Sequence, residues 1–298
     1  MMQPERHLVK PGDRCYPAQL SDLEDMPWLY VLGDPEVLLT PMISIVGARR
    51  ATPYGLAVAE MAGRIGAECG LTVVSGGARG CDRAASRAAL DAGGRTVIVS
   101  GPGADRIYPA ESADIFHEAP LRGGAIVSLE EWGVEVRRYQ FPKRNRIIAS
   151  LSRCTFVAEA SVRSGTMSTA ETAMELGRIL YAVPGSIFSP TSSGTNRLIS
   201  EGARIVSDER DLEQAISSDY GVLRFIPDEV RGPEGALVSA LFASPLRPQE
   251  LAERMNEDVL QILRALSEFE VLGMVEKLPD GRYTPTKEAF LAHNRGGA

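Results

Sequence analysis

The sequence predicts an α/β protein: a doubly wound, Rossmann-like, mostly parallel sheet followed by a small winged-helix domain. Three observations carry that expectation. Short apolar runs rich in β-branched residues alternate with helix-compatible segments, small residues cluster directly after those runs, and after about residue 217 the rhythm gives way to amphipathic helical patterns. Continuous apolar runs imply strands covered on both faces, and a helical segment between successive strands makes them parallel.

Taken in order, residues 1–40 read as an N-terminal arm rich in proline and turn residues, with "WLYVLGD" as a short candidate strand. The expected strands are "ISIVGA" (43–48), "LTVVSGG" (71–77), "RTVIVSG" (95–101), "AIVSLE" (125–130), "TFVAEA" (155–160), "ILYAVPG" (179–185) and "ARIVSD" (203–208). Thr52, with Pro53 at the first helical position, starts a helix that stops at Gly70; Asp82 stands near the start of another that stops at Gly93 and Gly94. The Rossmann-like domain is placed at 41–217, a linker at 218–232 and the winged-helix domain at 233–298. In that last part, three amphipathic helical patterns precede "GMVEKL" and "RYTPT", which Pro279, Asp280 and Gly281 join as a hairpin. Its third helix, about Asp258 to Phe269, offers only Arg264 beside Glu268 and Glu270, which favours protein contact over reading a major groove.

Composition removes several function classes. The net charge of −7 over 298 residues rules out a protein coated in positive charge, so any nucleic-acid affinity must be local. No run of about 18 apolar residues is present to span a bilayer, and the opening residues lack the apolar core of a signal peptide, so a cytoplasmic protein without membrane contact is expected. Cys15, Cys69, Cys81 and Cys154 form no CxxC pair, and His7, His117 and His293 are dispersed, so neither a metal site nor a disulfide framework is expected.

In an open parallel sheet, ligands bind where the strands' carboxyl ends feed helix N-termini. This chain places "VGARRATPYG", "SGGARGCD", "SGPG", "EASVRSGTMST" and "VPGS" at those points. Glycines let a backbone approach closely, and free amides at helix starts favour anions. A lone glycine after a strand is ordinarily just a turn; several at one sheet edge, interspersed with Arg49, Arg50, Arg79 and Arg163, describe a phosphate-accepting rim. Neither GxGxxG nor GxxxxGK[ST] occurs in these loops, so no nucleotide cofactor is expected. Ser164, Gly165 and Thr166 could hold one phosphate beside Arg163, or Ser168 or Thr169 could simply cap the following helix. The stretch "YQFPKRNRIIASLSR" (139–153) is free of carboxylates, and Pro142 near a helix start fans Lys143, Arg144 and Arg146 around the first turn. Asn145 could contact a sugar or base, or bond to a neighbouring loop. An aromatic, Phe141, just before a basic turn suits base stacking, so the combination points to single-stranded nucleic acid.

Seven ordered blocks, "YPAQLSDLEDMPWLYVLGD", "VGARRATPYG", "VSGGARGCDRAAS", "DRIYPAES", "FPKRNRIIASLS", "EASVRSGTMSTA" and "AVPGSIFSPTSSGTNRLISEGA", resemble the DNA-processing protein A family, also called Smf. The resemblance covers about residues 15–215, with a weaker one to that family's winged-helix tail at about 235–290. It implies a cofactor-free single-stranded DNA binder that works as a homodimer and loads the RecA recombinase in natural transformation. Carried over block by block, it implies DNA-binding roles for Gly47, Arg49 and Arg50; for Ser75, Gly76, Gly77, Arg79, Gly80 and Asp82; for Phe141, Lys143, Arg144, Asn145 and Arg146; and for Arg163, Ser164, Gly165 and Thr166. Ala48, Gly77 and Cys81 depart from the family's usual serine, leucine and isoleucine, and "EEWGVEVRRYQ" departs from its Gly- and Pro-containing approach. The N-terminal helical module of many members is not expected among these residues. The rival reading is a phosphoribohydrolase acting on nucleoside monophosphates, with Glu159, Glu171 or Asp82 as acid or nucleophile; "RSGTMSTAE" lacks the glycine pair of that family's "PGGxGTxxE" run.

Overall fold

A computed structural model describes residues 4–224, 237, 240–241, 244–255 and 257–286. The chain divides into two units, Met1–Arg224 and Phe225–Ala298.

The first unit is built on one sheet of nine strands among the described residues: β1 (Arg6–Val9), β2 (Leu29–Gly33), β3 (Met42–Val46), β4 (Thr72–Ser75), β5 (Thr96–Val99), β6 (Ala125–Ser128), β7 (Cys154–Val157), β8 (Ile179–Ala182) and β9 (Arg204–Ile205). The spatial order is β1-β2-β6-β5-β4-β3-β7-β8-β9, with β3 through β9 mutually parallel and β1 and β2 pairing antiparallel. Each of the expected strands forms, shortened where its trailing glycine or small residues turn away into a loop. The helices are α1 (Pro53–Glu68), α2 (Cys81–Asp91), α3 (Ala113–Glu118), α4 (Gln140–Leu151), α5 (Gly165–Glu175), α6 (Ser193–Ser200) and α7 (Glu209–Tyr220).

Alternation along the strands fills both faces. Ile43 and Ile45 of β3 pack with Val58, Ala62 and Ile65 of α1, Ala85 of α2 and Ile216 of α7. Met42 and Val46 point the other way, toward Ile147 and Ile148 of α4 and Ala170 of α5. Helices α1 and α2 touch through Gly63, where an added Cβ would lie 2.2 Å from the Ala85 carbonyl oxygen. Thr52 caps α1 as expected, its Oγ1 accepting from the Gly55 amide at 3.1 Å.

Two expected boundaries differ from the structure. The first 40 residues supply β1 and β2, so they extend the sheet instead of forming a separate arm. β2 alternates buried and half-buried positions, and Tyr30 meets Trp132 edge-on at 5.5 Å. The expected linker start at 218 falls inside α7, which ends at Gly221 (φ 69°). Tyr220 Oη donates to the Met42 carbonyl at 2.6 Å, and Arg224 pairs with Glu68 at 2.6 Å and Glu213 at 3.2 Å, so 218–224 belong to the first unit. Turn residues ended the helix there, not the domain. The rest of the expected linker, 225–232, lies outside the described residues.

In the second unit, α8 (Pro248–Met255) and α9 (Val259–Val271) precede an antiparallel hairpin of β10 (Val275–Lys277) and β11 (Tyr283–Pro285). Leu251, Ile262, Leu266, Phe269, Val275 and Tyr283 form its core with Leu237 and Leu241. This follows the expected order; most of the first helical pattern lies outside the described residues.

One ion pair is expected to add to the first unit's sensitivity to acid. Glu118, at the end of α3, accepts a hydrogen bond from Arg87 of α2 and lies 2.5 Å from Arg122. The Arg87 bond holds the Glu118 carboxyl below the ordinary carboxylate value, against the opposing pull of burial. A depressed carboxylate contributes stability that is present above its unfolded pKa and lost as pH falls through its folded one. Glu118→Gln is therefore expected to flatten the fall of Tm below about pH 4. An acid limb of unchanged steepness in the variant would show that the pair adds nothing.

Candidate nucleic-acid interface

The strand order reverses between β3 and β7, and the crevice outside the carboxyl ends at such a switch point is where open α/β sheets bind ligands. A cleft of about 500 Å³ lies there, lined by Gly47, Ala48, Arg49 and Arg50 after β3, by Ala78 and Asp82, by Arg144 and Asn145 of α4, by Ser161, Ser164, Gly165 and Thr166, and by Thr191 after β8. Loops far apart in sequence thus meet in one place.

The expected site residues separate into a buried scaffold and an exposed rim. Arg144 and Asp82, each 5% exposed, face one another with Nη1 and Oδ2 3.8 Å apart, and the Gly76 amide donates to Asp82 at 3.2 Å. Burial pushes the Asp82 carboxyl up, opposed by Arg144, and pushes the Arg144 guanidinium down to about 10, which leaves it charged at neutral pH. The guanidinium lies so close to Gly76 that an added Cβ would be 1.6 Å from Nη1. Gly80 has φ 80°, and its Cβ would meet the Ala48 carbonyl oxygen at 2.2 Å; Gly77 (φ 64°) faces Ile98 and Phe116. Gly47 leaves room for the Cys81 thiol, so the Cys81 departure is absorbed in packing. Ser75 Oγ donates to the Ile45 carbonyl at 2.7 Å, and Thr166 Oγ1 to the Gly47 carbonyl at 2.9 Å. Asn145 bonds to a neighbouring loop: Nδ2 donates to the Gly165 carbonyl at 3.3 Å and to Ser168 Oγ at 3.1 Å, tying α4 to the start of α5. Arg144 Nε and Ser164 Oγ are buried without a hydrogen-bond partner among the described residues. Both residues line the cleft, and an anionic oxygen would satisfy such donors.

The rim is Arg49, Arg50, Arg79, Lys143, Arg146 and Arg163, all exposed. Arg79 faces Glu111 at 3.3 Å, whereas the other five have no carboxylate within 4 Å among the described residues. The Arg49 guanidinium lies 5.0 Å from the Phe141 ring centre and Arg144's 5.8 Å, while Lys143 covers Tyr139 at 5.3 Å. Tyr108 packs beside Phe141 with centroids 5.9 Å apart, and these two rings line a smaller niche with Arg49, Arg79 and Gly101. Tyr108 carries neither charge nor a glycine neighbour, so in the sequence only the block "DRIYPAES" marks it. Helix α4 starts at Gln140, two residues before Pro142, and the Gln140 side chain folds back to accept from the Arg137 amide at 2.6 Å.

Two of the three acids of the rival reading do not line the cleft. Glu159 is 2% exposed and accepts from the Thr52 amide (2.9 Å) and Thr52 Oγ1 (2.7 Å), and Gly55 leaves room for its carboxylate. Glu171 is exposed on α5, and of the three only Asp82 lines the cleft. Among the described residues no group of three His, Cys, Asp or Glu side chains could hold a metal, and no helix is long and apolar enough to cross a membrane.

The family described as DNA recombination-mediator protein A matches residues 7–217. Protein Smf of Escherichia coli is 34% identical over 299 residues, covering 94% of this chain and 77% of that protein. DNA processing protein DprA of Streptococcus pneumoniae is 40% identical over 203 residues, 67% of this chain and 71% of that one. The solved structure of DNA processing protein A from Helicobacter pylori, described for its single-stranded DNA binding mode, superposes with a TM-score of 0.65 at 29% identity, covering 73% of this chain and 100% of that one.

Proposed function

Because the chain belongs to the DNA recombination-mediator protein A family, we propose that its rim holds single-stranded DNA and that it mediates recombination of incoming strands without catalysing a reaction on them. The observation that carries this is the row of five cations without acidic partners among the described residues, set beside the half-buried Phe141 and exposed Tyr108 rings over a buried scaffold that fixes the loops. Cations without partners neutralise phosphates, and aromatic faces accept bases of any sequence. In this reading the protein is cytoplasmic, acts as a homodimer, and passes the strand to RecA recombinase in natural transformation; the second unit contacts proteins. Asp82 is paired with Arg144 and Glu159 with Thr52, which supports a binding role for the cleft over hydrolysis of nucleoside monophosphates.

Titrating a fluorescent oligothymidine at low and moderate salt, with an equal-length duplex as competitor, tests this. Binding should weaken steeply with salt and resist the duplex. Lys143→Ala is expected to reduce the slope of log K against log salt by about 0.7, the share of one phosphate. Phe141→Ala should weaken binding by about 1–3 kcal/mol at every salt and leave the slope unchanged. Slopes that coincide for wild type and Lys143→Ala would remove the phosphate role. No binding to oligothymidine, together with base release from nucleoside monophosphates, would favour the hydrolase.

A further inference from the structure

Beyond the cleft, the loop between β8 and α6 presents Ile187 and Phe188, which are 84% and 90% exposed. The loop is held, not loose. The Phe188 amide donates to Ser186 Oγ at 3.2 Å and the Ser189 amide to the Ser186 carbonyl at 3.0 Å, while Ser189 and Thr191 hydroxyls meet at 2.9 Å. Asn196 brackets Gly185 from both sides, accepting from its amide and donating to its carbonyl, each at 3.0 Å. The turn therefore holds an aromatic ring in water by construction, and no packing within the described residues uses that ring.

The loop is continuous with the rim. The Gly194 amide donates to the Ala160 carbonyl at 2.8 Å, the Val162 amide to Ser193 Oγ at 3.3 Å, and Thr191 lines the cleft itself. Along the carboxyl edge the order is β5, β4, β3, β7, β8. Phe141, against Gly101 after β5, stands at one end and Phe188, after β8, at the other. At about 4.8 Å between strands, the two ends are roughly 19 Å apart. Residues 176–200 contain no Asp or Glu, so this stretch itself adds no negative charge beside Phe188.

We propose that Phe188, with Ile187 beside it, is a second base platform, so that a single strand lies across the whole edge from Phe141 to Phe188. This rests on the single-strand reading of the cleft. A loop whose own stretch of chain, 176–200, carries no carboxylate, with an exposed ring fixed on it, suits a nucleobase, whose face stacks on an aromatic without sequence preference.

The test compares oligothymidines of about four and about sixteen nucleotides, spanning the usual site sizes of single-strand grooves, on wild type, Phe188→Ala and Phe141→Ala. Phe188→Ala is expected to weaken the long oligomer on the order of tenfold, to leave the short one unchanged, and to keep the salt slope. Phe141→Ala should weaken both. Phe188→Trp should keep affinity and show emission quenched by the long oligomer alone. Equal affinity of wild type and Phe188→Ala for both lengths would overturn the platform while leaving the cleft intact. So would unchanged DNA binding with lost self-association, which would make the pair a protein contact. Wild type that binds neither length would overturn the single-strand reading and the platform with it.

Discussion

Asp82→Asn is expected to cost roughly 3–5 kcal/mol of folding stability, read as a lower urea midpoint at unchanged m-value. The substitution leaves the Arg144 guanidinium 5% exposed with no carboxylate opposite it among the described residues, where Arg144 Nε already lacks a partner. The penalty comes from stranding a buried charge, not from the worth of the pair, so removing both charges should cost much less. The double variant Asp82→Asn, Arg144→Met should recover most of the loss, with an interaction energy of several tenths to about 3 kcal/mol. A single variant within about 0.5 kcal/mol of wild type would mean that water already reaches Arg144.

Gly80→Ala is expected to destabilise by about 2–5 kcal/mol and to weaken single-strand binding as well. Gly80 has φ 80° and ψ −132°, a conformation that strains any other residue by about 1–3 kcal/mol. Its new Cβ would also lie 2.2 Å from the Ala48 carbonyl oxygen, which accepts from the Cys81 amide at 3.2 Å. Pushing that carbonyl away forfeits a buried hydrogen bond, about 1–3 kcal/mol, and shifts Arg49, the next residue. Gly70→Ala is the control, since Gly70 has φ 75° but open space around its Cβ. It should show the strain alone and leave binding unchanged. Equal effects of the two substitutions on stability and binding would show that the Ala48 contact is unimportant.

These residues also show how far the sequence could be read. The parallel strands were legible because burial on both faces writes a continuous apolar run, and β3 through β8 are such runs. β1 was not, because its "RHLV" sits at the sheet edge, where a charged residue is tolerated. The unpaired cations were legible as a stretch without carboxylates. What was not read is that α4 divides them. Arg144 lies four residues after Gln140 and three and four before Ile147 and Ile148, all on the buried stripe, whereas Lys143 and Arg146 fall on the exposed side. Helical spacing contained that distinction; charge alone concealed it. The Arg144–Asp82 pair could not be found this way, since it joins α4 to α2 across the sheet edge and no local pattern records such a meeting. The Asn145 alternative was open for the same reason.

The reversal of strand order has a consequence for when the protein becomes competent. The cleft draws on Gly47 near the start of the chain and on Thr191 well beyond its middle, and β3 needs both β4 and β7 as neighbours. β3 through β6 can pair while the ribosome is still translating, but half of the crevice wall is then missing. Domains fold as units as synthesis proceeds at about 5–20 residues per second. A nascent chain that ends before β7 therefore has its basic helix but only one wall of the crevice. Because the crevice walls lie on opposite sides of the switch point, the cleft takes shape only once β7 and the start of α5 have joined β3.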